Sequence, residues 1–513
     1  MPQPNANLAE SLEVLASLQS TGRRVFASSE LSRTHRDRLK AAGFVRPVIK
    51  GWWMATDPAA LPGDTTAWHA CFWEFCGRYC EARFGGDWHL SPELSILLHA
   101  EATDVPRQVI VHTPGGSNNT IDLPFGTSVF DYGVDSLPAD AQRDEQDGVR
   151  LLTLPASLVR AQPSFFEQRP VEAQVALSRI RDASDLLAVL LEGDHVVAAG
   201  RLAGALRRLG RMDMADEIAG TMSRAGYRVR ENDPFQPDRP LPEIGPRTPA
   251  IVARLQGLWQ AMRGPVEETF PETPPRPVNP TAYLERVAAL YDQDAYHSLS
   301  IEGYRVTPEL VERVRAGAWD PRENPTDRES RDALAARGYW LAFQGVRDTI
   351  ERVLADPESA PGLVREQHRA WYRDLFQPAV AAGLLEPSQL AGYRTNPVYI
   401  QNSRHVPPRA ESVRDAMPAL FDLLEGENHQ GVRAVLGHWM FGYIHPFPDG
   451  NGRVARFLMN AMLASGGYPW TVIRVEDRDE YMAALETASV EQRIEAFAGW
   501  WRTRSNGLVR EDR

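Results

Sequence analysis

The chain has 513 residues with a net charge of −12 at pH 7, 43% of them hydrophobic and 24% charged, so it is too long for one ordinary core and reads as a soluble globular protein of roughly two to four domains. No apolar run approaches the roughly 18 to 20 residues of a membrane span, and the start, MPQPNANLAESLEVL, lacks a signal-peptide pattern, so a cytoplasmic protein without membrane contact is expected. Lys40 and Lys50 are the only lysines, and neither stands in a GxxxxGK[ST] run or in a kinase-like strand after a glycine-rich loop, which excludes both of those nucleotide-binding classes.

The acidic balance argues against a surface that coats nucleic acid, while leaving room for a local basic patch. Arginine replaces lysine almost throughout, a composition typical of a GC-rich bacterial genome. Cys71, Cys76 and Cys80 lie in WHACFWEFCGRYC near His69. Without a second CxxC pair they read as buried reduced thiols rather than a zinc site.

In chain order, residues 1–57 read as helix, turn, helix and strands. Ser28 or Ser29 would cap a short helix at Glu30, RTHRDRLKAAG would form a second helix closed by Gly43, and FVRPVIKGWWM would form a two-stranded wing. Arg33, Arg36, Arg38, Lys40, Arg46 and Lys50 face the single acid Asp37 in that stretch. A winged helix-turn-helix would set those cations on phosphates and Thr34, His35 and Arg38 near base edges, making DNA a candidate partner. Residues 58–232 mix strands (RQVIVHT, GVRLLTL) with helices (DLLAVLLEGD, VAAGRLAGALRRLG), and HTPGGSNN reads as a turn. Two proline-rich stretches, NDPFQPDRPLPEIGP and FPETPPRPVNP, flank a helical PAIVARLQGLWQAMRG and mark a junction over 233–280. From 281 to 505 the pattern is almost wholly helical. The predicted fold class is mainly α, with a winged helix and a mixed α/β domain at the front.

The densest chemistry is HPFPDGNGRVAR, residues 445–456. GVRAVLGHWMFGYI before it and RVARFLMNAMLASGG after it both carry apolar residues at helical spacing, the first helix ended by Pro446 and the second by Gly466. The loop therefore feeds a helix N-terminus, whose free N–H groups and positive partial charge suit a phosphate, with Gly450 and Gly452 allowing close approach. Arg453 and Arg456 share one helix face, with Asn460 a turn further on, and two guanidiniums at such an end describe a polyphosphate grip. Asp449 offers the single hard oxygen typical of a phosphate-bridging Mg²⁺. His445 is the group that accepts a proton near neutral pH. Together these parts predict phosphoryl or nucleotidyl transfer.

The stretch resembles the Fic signature HxFx[DE]GNGRxxR at every defined position. GYRTNPVYIQNSRHVPPRAESVRDAMPAL, FLMNAMLASGGYP and RDEYMAALETA extend the resemblance over about 290–500. It implies an all-α Fic fold that transfers AMP from ATP to a Ser, Thr or Tyr hydroxyl of a target protein. His445 would be the base, Asp449 the Mg²⁺ ligand, and Phe447 the buried anchor of the loop. Asn451, Arg453 and the Gly450 and Gly452 amides would hold the α- and β-phosphates, and Arg456 the γ-phosphate. A flap of Thr395, Asn396, Pro397, Val398, Tyr399 and Ile400 would clamp the target as an added strand. A phosphorylating branch has lysine where this chain has Gly452, which favours nucleotide transfer. Upstream, Ser298, Glu302 and Gly303 in YHSLSIEGYRV match the family's inhibitory [ST]xxxE[GN] pattern near 296–303, so Glu302 would form a bidentate pair with Arg456 and block the γ-phosphate. The front half resembles AbiE-type antitoxins through GFVRPVIKGWW and DWHLSPELSILLHAEATDVPRQVIVHT, which implies operator binding. The competing expectation is a DNA-binding transcriptional regulator that uses the Fic fold as a nucleotide sensor. Oligomeric state stays open, a homodimer included.

Overall fold

The computed structural model describes residues 4–61, 63–193, 195–236, 244–245, 247–270, 279–318 and 330–502. The chain is mainly α and divides into two compact units, Met1–Ala250 with Tyr399–Val406, and Ile251–Val398 with Pro407–Arg513. Most of the two proline-rich stretches and the last residues of the expected helical domain, 503–505, lie outside the described residues. The helix between the proline-rich stretches is Ala250–Thr269.

The first unit opens with α1 (Pro4–Gln19), β1 (Val25–Ala27), α2 (Arg33–Ala41), β2 (Val45–Ile49) and β3 (Trp52–Ala55). The strands pair antiparallel in the order β1-β3-β2. Leu15, Phe26, Leu31, Leu39 and Val45 form the core of this lobe. The expected short helix at Glu30 is a single turn over residues 28–31. The carbonyls of Ser28 and Leu31, which would need amides four residues on, accept from the Arg36 guanidinium instead. The capping serine is accordingly Ser32, whose hydroxyl accepts from the His35 N–H.

Then α3 (Thr66–Phe84) turns Cys71, Cys76 and Cys80 into the core as free thiols. Burial pushes Cys71 and Cys80 up to about 12, which makes them unreactive. α4 (Pro92–His99) follows β4 (His89–Leu90) and leads to β5 (Gln108–Thr113), β6 (Thr120–Asp122) and β7 (Ser128–Gly133), in a sheet ordered β4-β5-β7-β6. The HTPGGSNN turn is structural: buried Asp131 accepts from the Ser117 and Asn119 amides. A hairpin of β8 (Arg143–Gln146) and β9 (Val149–Leu152) turns on Asp147 and Gly148, both at positive φ. From α5 (Leu154–Arg160) through α6 (Pro163–Gln168), α7 (Pro170–Arg179), α8 (Ala183–Glu192), α9 (Val196–Arg208) and α10 (Met212–Arg224) the unit is helical around Phe166, Leu186, Leu202, Leu206 and Ile218. The segment Tyr399–Val406 completes this unit: the Val105 N–H donates to Arg404 O at 2.9 Å, and Asp104 and His405 form an antiparallel bridge.

The second unit contains only helices and loops among the described residues: α11 (Ala250–Thr269), α12 (Pro280–Ile301), α13 (Pro308–Arg315), α14 (Arg331–Ala355), α15 (Ala360–Ala381), α16 (Val413–Gly426), α17 (Gln430–Ile444), α18 (Asn451–Ser465), α19 (Arg478–Val490) and helical residues 495–502. α14 and α15 form a hairpin so close at Gly338 that a Cβ there would lie 2.0 Å from Leu375 O. Tyr339, Trp371 and Phe457 pack where α18 meets that hairpin. The expected apolar stripe of α18, Val454, Phe457, Leu458, Ala461 and Met462, is fully buried. No helix among the described residues is long and apolar enough to cross a membrane.

Candidate functional site

The site is built where α17 ends and α18 begins, inside the second unit. His445 caps α17 in the left-handed region, φ 51° and ψ 59°, and its N–H closes the last turn on Phe441 O. Its Nδ1 lies 3.2 Å from Gly442 O, so Nδ1 carries the proton and Nε2 presents the lone pair. Burial pushes its pKa down to about 4, and Arg394 adds to that, so the imidazole is neutral at physiological pH.

Phe447 is fully buried and stacks on Tyr372 with centroids 4.0 Å apart. Asn451 is buried as well, and spends both ends of its amide on that residue: Oδ1 accepts from the Phe447 N–H and Nδ2 donates to Phe447 O, each at 2.9 Å. Its side chain therefore closes the loop from within, onto the backbone of Phe447. Gly450 takes the N-cap position of α18 at φ +76° with no side-chain cap, leaving the first N–H groups of the helix open to an anion. Asn460 ties α18 to Thr471 through two hydrogen bonds to the Thr471 backbone, and its Nδ2 also donates to Arg456 O within the helix.

The two arginines differ in their partners. Arg453 is 1% exposed, lies between the rings of Tyr304 and Phe376, and among the described residues hydrogen-bonds only to Asp449, at 3.5 Å. Its Nε has no hydrogen-bond partner among the described residues, so this buried cation keeps donor capacity for an anion. Arg456, 4% exposed, is held from α12: its Nε donates to Ser298 Oγ at 2.9 Å, and its Nη2 donates to Ser298 O at 3.1 Å and to Glu302 Oε1 at 2.8 Å. The expected bidentate carboxylate pair is a single contact here, through Nη2 to Glu302 Oε1, with Nε given to the Ser298 hydroxyl. Burial opposes the charge on Arg456, yet Glu302 raises its pKa. Burial also works against the Glu302 carboxylate, and Arg456, then Arg453, hold it below the usual range.

Glu302 stands over the start of α18. A Cβ on Gly452 would come 2.3 Å from Glu302 Oε1, so any larger residue there would evict the carboxylate. Gly303, at φ +83°, turns the chain out of α12 just after it. Asp449 has a side chain 56% exposed, beside the open amides. One accessible carboxylate next to an anion cradle fits a Mg²⁺ that arrives with phosphates, and no cluster of three or more His, Cys, Asp or Glu forms a separate metal site among the described residues.

Arg394, which the sequence reading passed over, ties the root of the flap to the loop. Its N–H donates to Pro446 O, and its guanidinium donates to the carbonyls of His445, Ile444, Asn396 and Pro408. The flap itself has no strand. Thr395, Asn396, Pro397 and Val398 belong to the second unit, whereas Tyr399 and Ile400 belong to the first, where Arg24 lies over the Tyr399 ring.

The candidate DNA contacts lie on the first unit. Arg38 donates to Asn7 O and Glu10, His35 meets Ser11, and Arg36 packs on Trp53 as well as holding the turn. Arg33, paired loosely with Asp37, and Lys40 and Lys50 remain exposed, as does Thr34.

The Fic/DOC family profile matches residues 360–463 of this chain. The chain is 40% identical over 243 residues to a protein adenylyltransferase Fic of Nematostella vectensis, covering 46% of this chain and 52% of that protein. It is 28% identical over 252 residues to protein adenylyltransferase fic-1 of Caenorhabditis briggsae, covering 45% of each. The chain thus spans about half the length of these curated relatives, and both come from animals, so they lend no support to a bacterial origin. A solved structure of Fic-1 from C. elegans is 18% identical and covers 70% of this chain and 86% of that one, with a TM-score of 0.36.

Proposed function

We propose that this chain is an autoinhibited protein adenylyltransferase that moves AMP from ATP to a Ser, Thr or Tyr hydroxyl of a target protein or of itself. The observation that carries the proposal is the juxtaposition of a neutral, oriented His445 with an uncapped helix N-terminus and two buried arginines, one of them with donor capacity for an anion. In the reaction, the target hydroxyl oxygen attacks the α-phosphorus, its proton passes to His445 Nε2, and the bond to the β-phosphate breaks to release pyrophosphate. Arg453 and the first amides of α18 would bind the negative charge that grows on the leaving side. Asp449 would hold Mg²⁺, which when bound neutralises phosphate charge. Glu302 supports the inhibited state, because its carboxylate stands where a phosphate would use Arg456.

A second reading gives the first unit a role in DNA binding and makes the chain a cytoplasmic regulator with a nucleotide-sensing module. The β1-β3-β2 sheet beside α2, with Arg33, Lys40 and Lys50 exposed, favours it. The deciding experiment incubates wild type, Glu302→Gly and His445→Ala with Mg²⁺ and ATP labelled at the α- or the γ-phosphate, with and without cell lysate. Label from the α-position alone, stronger in Glu302→Gly and absent in His445→Ala, is expected. No label in any protein, with a specific shift of promoter DNA, would replace the enzyme reading with the regulator.

A further inference from the structure

The helix that carries Glu302 ends in a turn whose carbonyls all have partners, and one of those partners lies outside the motif. An α-helix leaves its last four carbonyls without bonds of its own; in α12 these belong to Ser298, Leu299, Ser300 and Ile301. Leu299 O and Ser300 O are taken by the chain itself. Gly303, at φ +83°, lets the Tyr304 N–H donate to Leu299 O at 3.1 Å and its own N–H donate to Ser300 O at 3.0 Å, the paired bonds of a glycine-closed helix end. The Glu302 N–H also donates to Leu299 O, at 3.1 Å, which leaves Ser298 O to Arg456 Nη2. Ile301 O would need the Arg305 N–H to continue the helix, but that N–H donates to Asp332 Oδ1 at 3.1 Å. Its partner is instead Arg478, the first residue of α19, whose Nε donates to it at 3.0 Å.

We infer that Arg478 is a positioning residue for Glu302: by closing the last carbonyl of α12 it fixes the turn from which the carboxylate meets Arg456. The inference rests on the autoinhibited transferase reading and deepens it, since it assigns part of the inhibition to a cation that is not one of the two arginines of the motif. A second contact comes from the same stretch of chain: the Val475 N–H donates at 3.2 Å to Nδ1 of His297, one turn before Ile301 on α12. The end of the inhibitory helix is thus held by Arg456 on Ser298 and, independently, by residues 475–478 on His297 and Ile301.

Charge and place both suit this role. A guanidinium at the carbonyl end of a helix is favoured by the helix dipole and makes a charge-assisted bond. Ile301 O and the Glu302 N–H belong to one planar peptide unit, and both of its ends are fixed, the oxygen by Arg478 and the N–H by Leu299 O. The orientation of that plane sets the direction in which the Glu302 side chain leaves the backbone. Held at the N–H alone, the plane can rock, and the carboxylate leaves its 2.8 Å contact with Arg456 Nη2 more often. The Arg478 side chain is 44% exposed, so unlike the buried Arg456 it can be replaced without opening the core.

The test uses the full chain as wild type, Glu302→Gly, Arg478→Ala, Arg478→Lys and the double variant of Arg478→Ala with Glu302→Gly. Three quantities are read at neutral pH: label transferred from α-labelled ATP, ATP affinity by calorimetry, and hydrogen–deuterium exchange of the amides of Glu302, Gly303 and Tyr304 without nucleotide. Arg478→Ala should label about fivefold faster than wild type and bind ATP correspondingly tighter, the net effect of one hydrogen bond. Those three amides should exchange faster in it, and Arg478→Lys, which keeps a charged donor, should fall between the two. In the Glu302→Gly background Arg478→Ala should bring no further gain, a result that a general loosening of the fold would not give. A melting temperature equal to wild type shows that Arg478→Ala is folded; if it is not, Arg478→Met, which keeps the apolar stem and removes the donors, carries the comparison. Wild-type labelling, affinity and exchange in the folded variant would overturn the inference, as would an equal gain in the Glu302→Gly background. Absence of label even in Glu302→Gly would instead strike the transferase reading, and the calorimetric and exchange arms would still decide the role of Arg478.

Discussion

Two basic stretches of this chain meet opposite fates. Between Arg33 and Lys50 the cations either point to solvent, as Arg33 does with a side chain 88% exposed, or settle on nearby backbone carbonyls and acids, as Arg36 and Arg38 do. Between residues 445 and 456 both arginines are buried, and the carboxylate on Arg456 comes from a residue 154 positions earlier. A solvated cation has water as its counter-charge and exchanges neighbours at little cost. A buried one must be matched within the protein or by a ligand. The contrast teaches that the density of basic residues says little about binding, and that burial without a full set of partners says much.

That contrast can be pressed from its strongest point downward. His445→Ala should reduce AMP transfer by about 10²- to 10⁴-fold, the usual loss of a general base, measured as label from α-labelled ATP in the Glu302→Gly background. In the same background with His445 intact the rate should stay level from about pH 8 to 5 and fall as the imidazole is protonated near its pKa of about 4; a fall centred near 6.5 would mean that the imidazole is solvated like a free one. Asn451→Ala, which frees the loop at Phe447, should cost roughly 10- to 100-fold in transfer rate through misplaced groups, while calorimetry should show ATP affinity changed far less. Glu302→Gly should raise transfer about tenfold or more and lower the stability of the ligand-free protein by about 2 kcal/mol, since it strips a buried arginine of its carboxylate. Excess ATP with Mg²⁺ should restore the melting temperature by binding the folded state. At the weak end, Arg33→Ala and Lys40→Ala should move stability by less than about 0.5 kcal/mol and leave transfer unchanged, whatever a gel shift then says about DNA.

Much of the second unit could be read from the chain. The helical spacing of Val432, Val435, Leu436, Trp439 and Tyr443, and of Val454, Phe457 and Leu458, predicts the two helices that frame the loop, because period 3.6 is a local property. His445 at the end of one helix and Gly450 at the start of the next follow from Pro446 and the glycines. The short helix expected at Glu30 does not form, because the Arg36 guanidinium takes the carbonyls of Ser28 and Leu31, a side-chain contact that periodicity does not report. Arg394 gave no signal at all, since its value lies in four carbonyls contributed by three separate stretches of chain. Nor could any spacing rule show that the flap's far end, from Tyr399, belongs to the first unit.

The residue types alone therefore determined the reaction class that the site can support, since a base, an acid, glycine amides and two guanidiniums within twelve residues already name an anion and a proton acceptor. Tertiary structure decided the state of those groups. It turned Asn451 inward to Phe447, left Arg453 with donor capacity for an anion, and brought Ser298 and Glu302 against Arg456. The reason is physical: local sequence sets torsion angles and periodicity, whereas which charge is desolvated and which partner meets it depends on what the rest of the fold packs alongside.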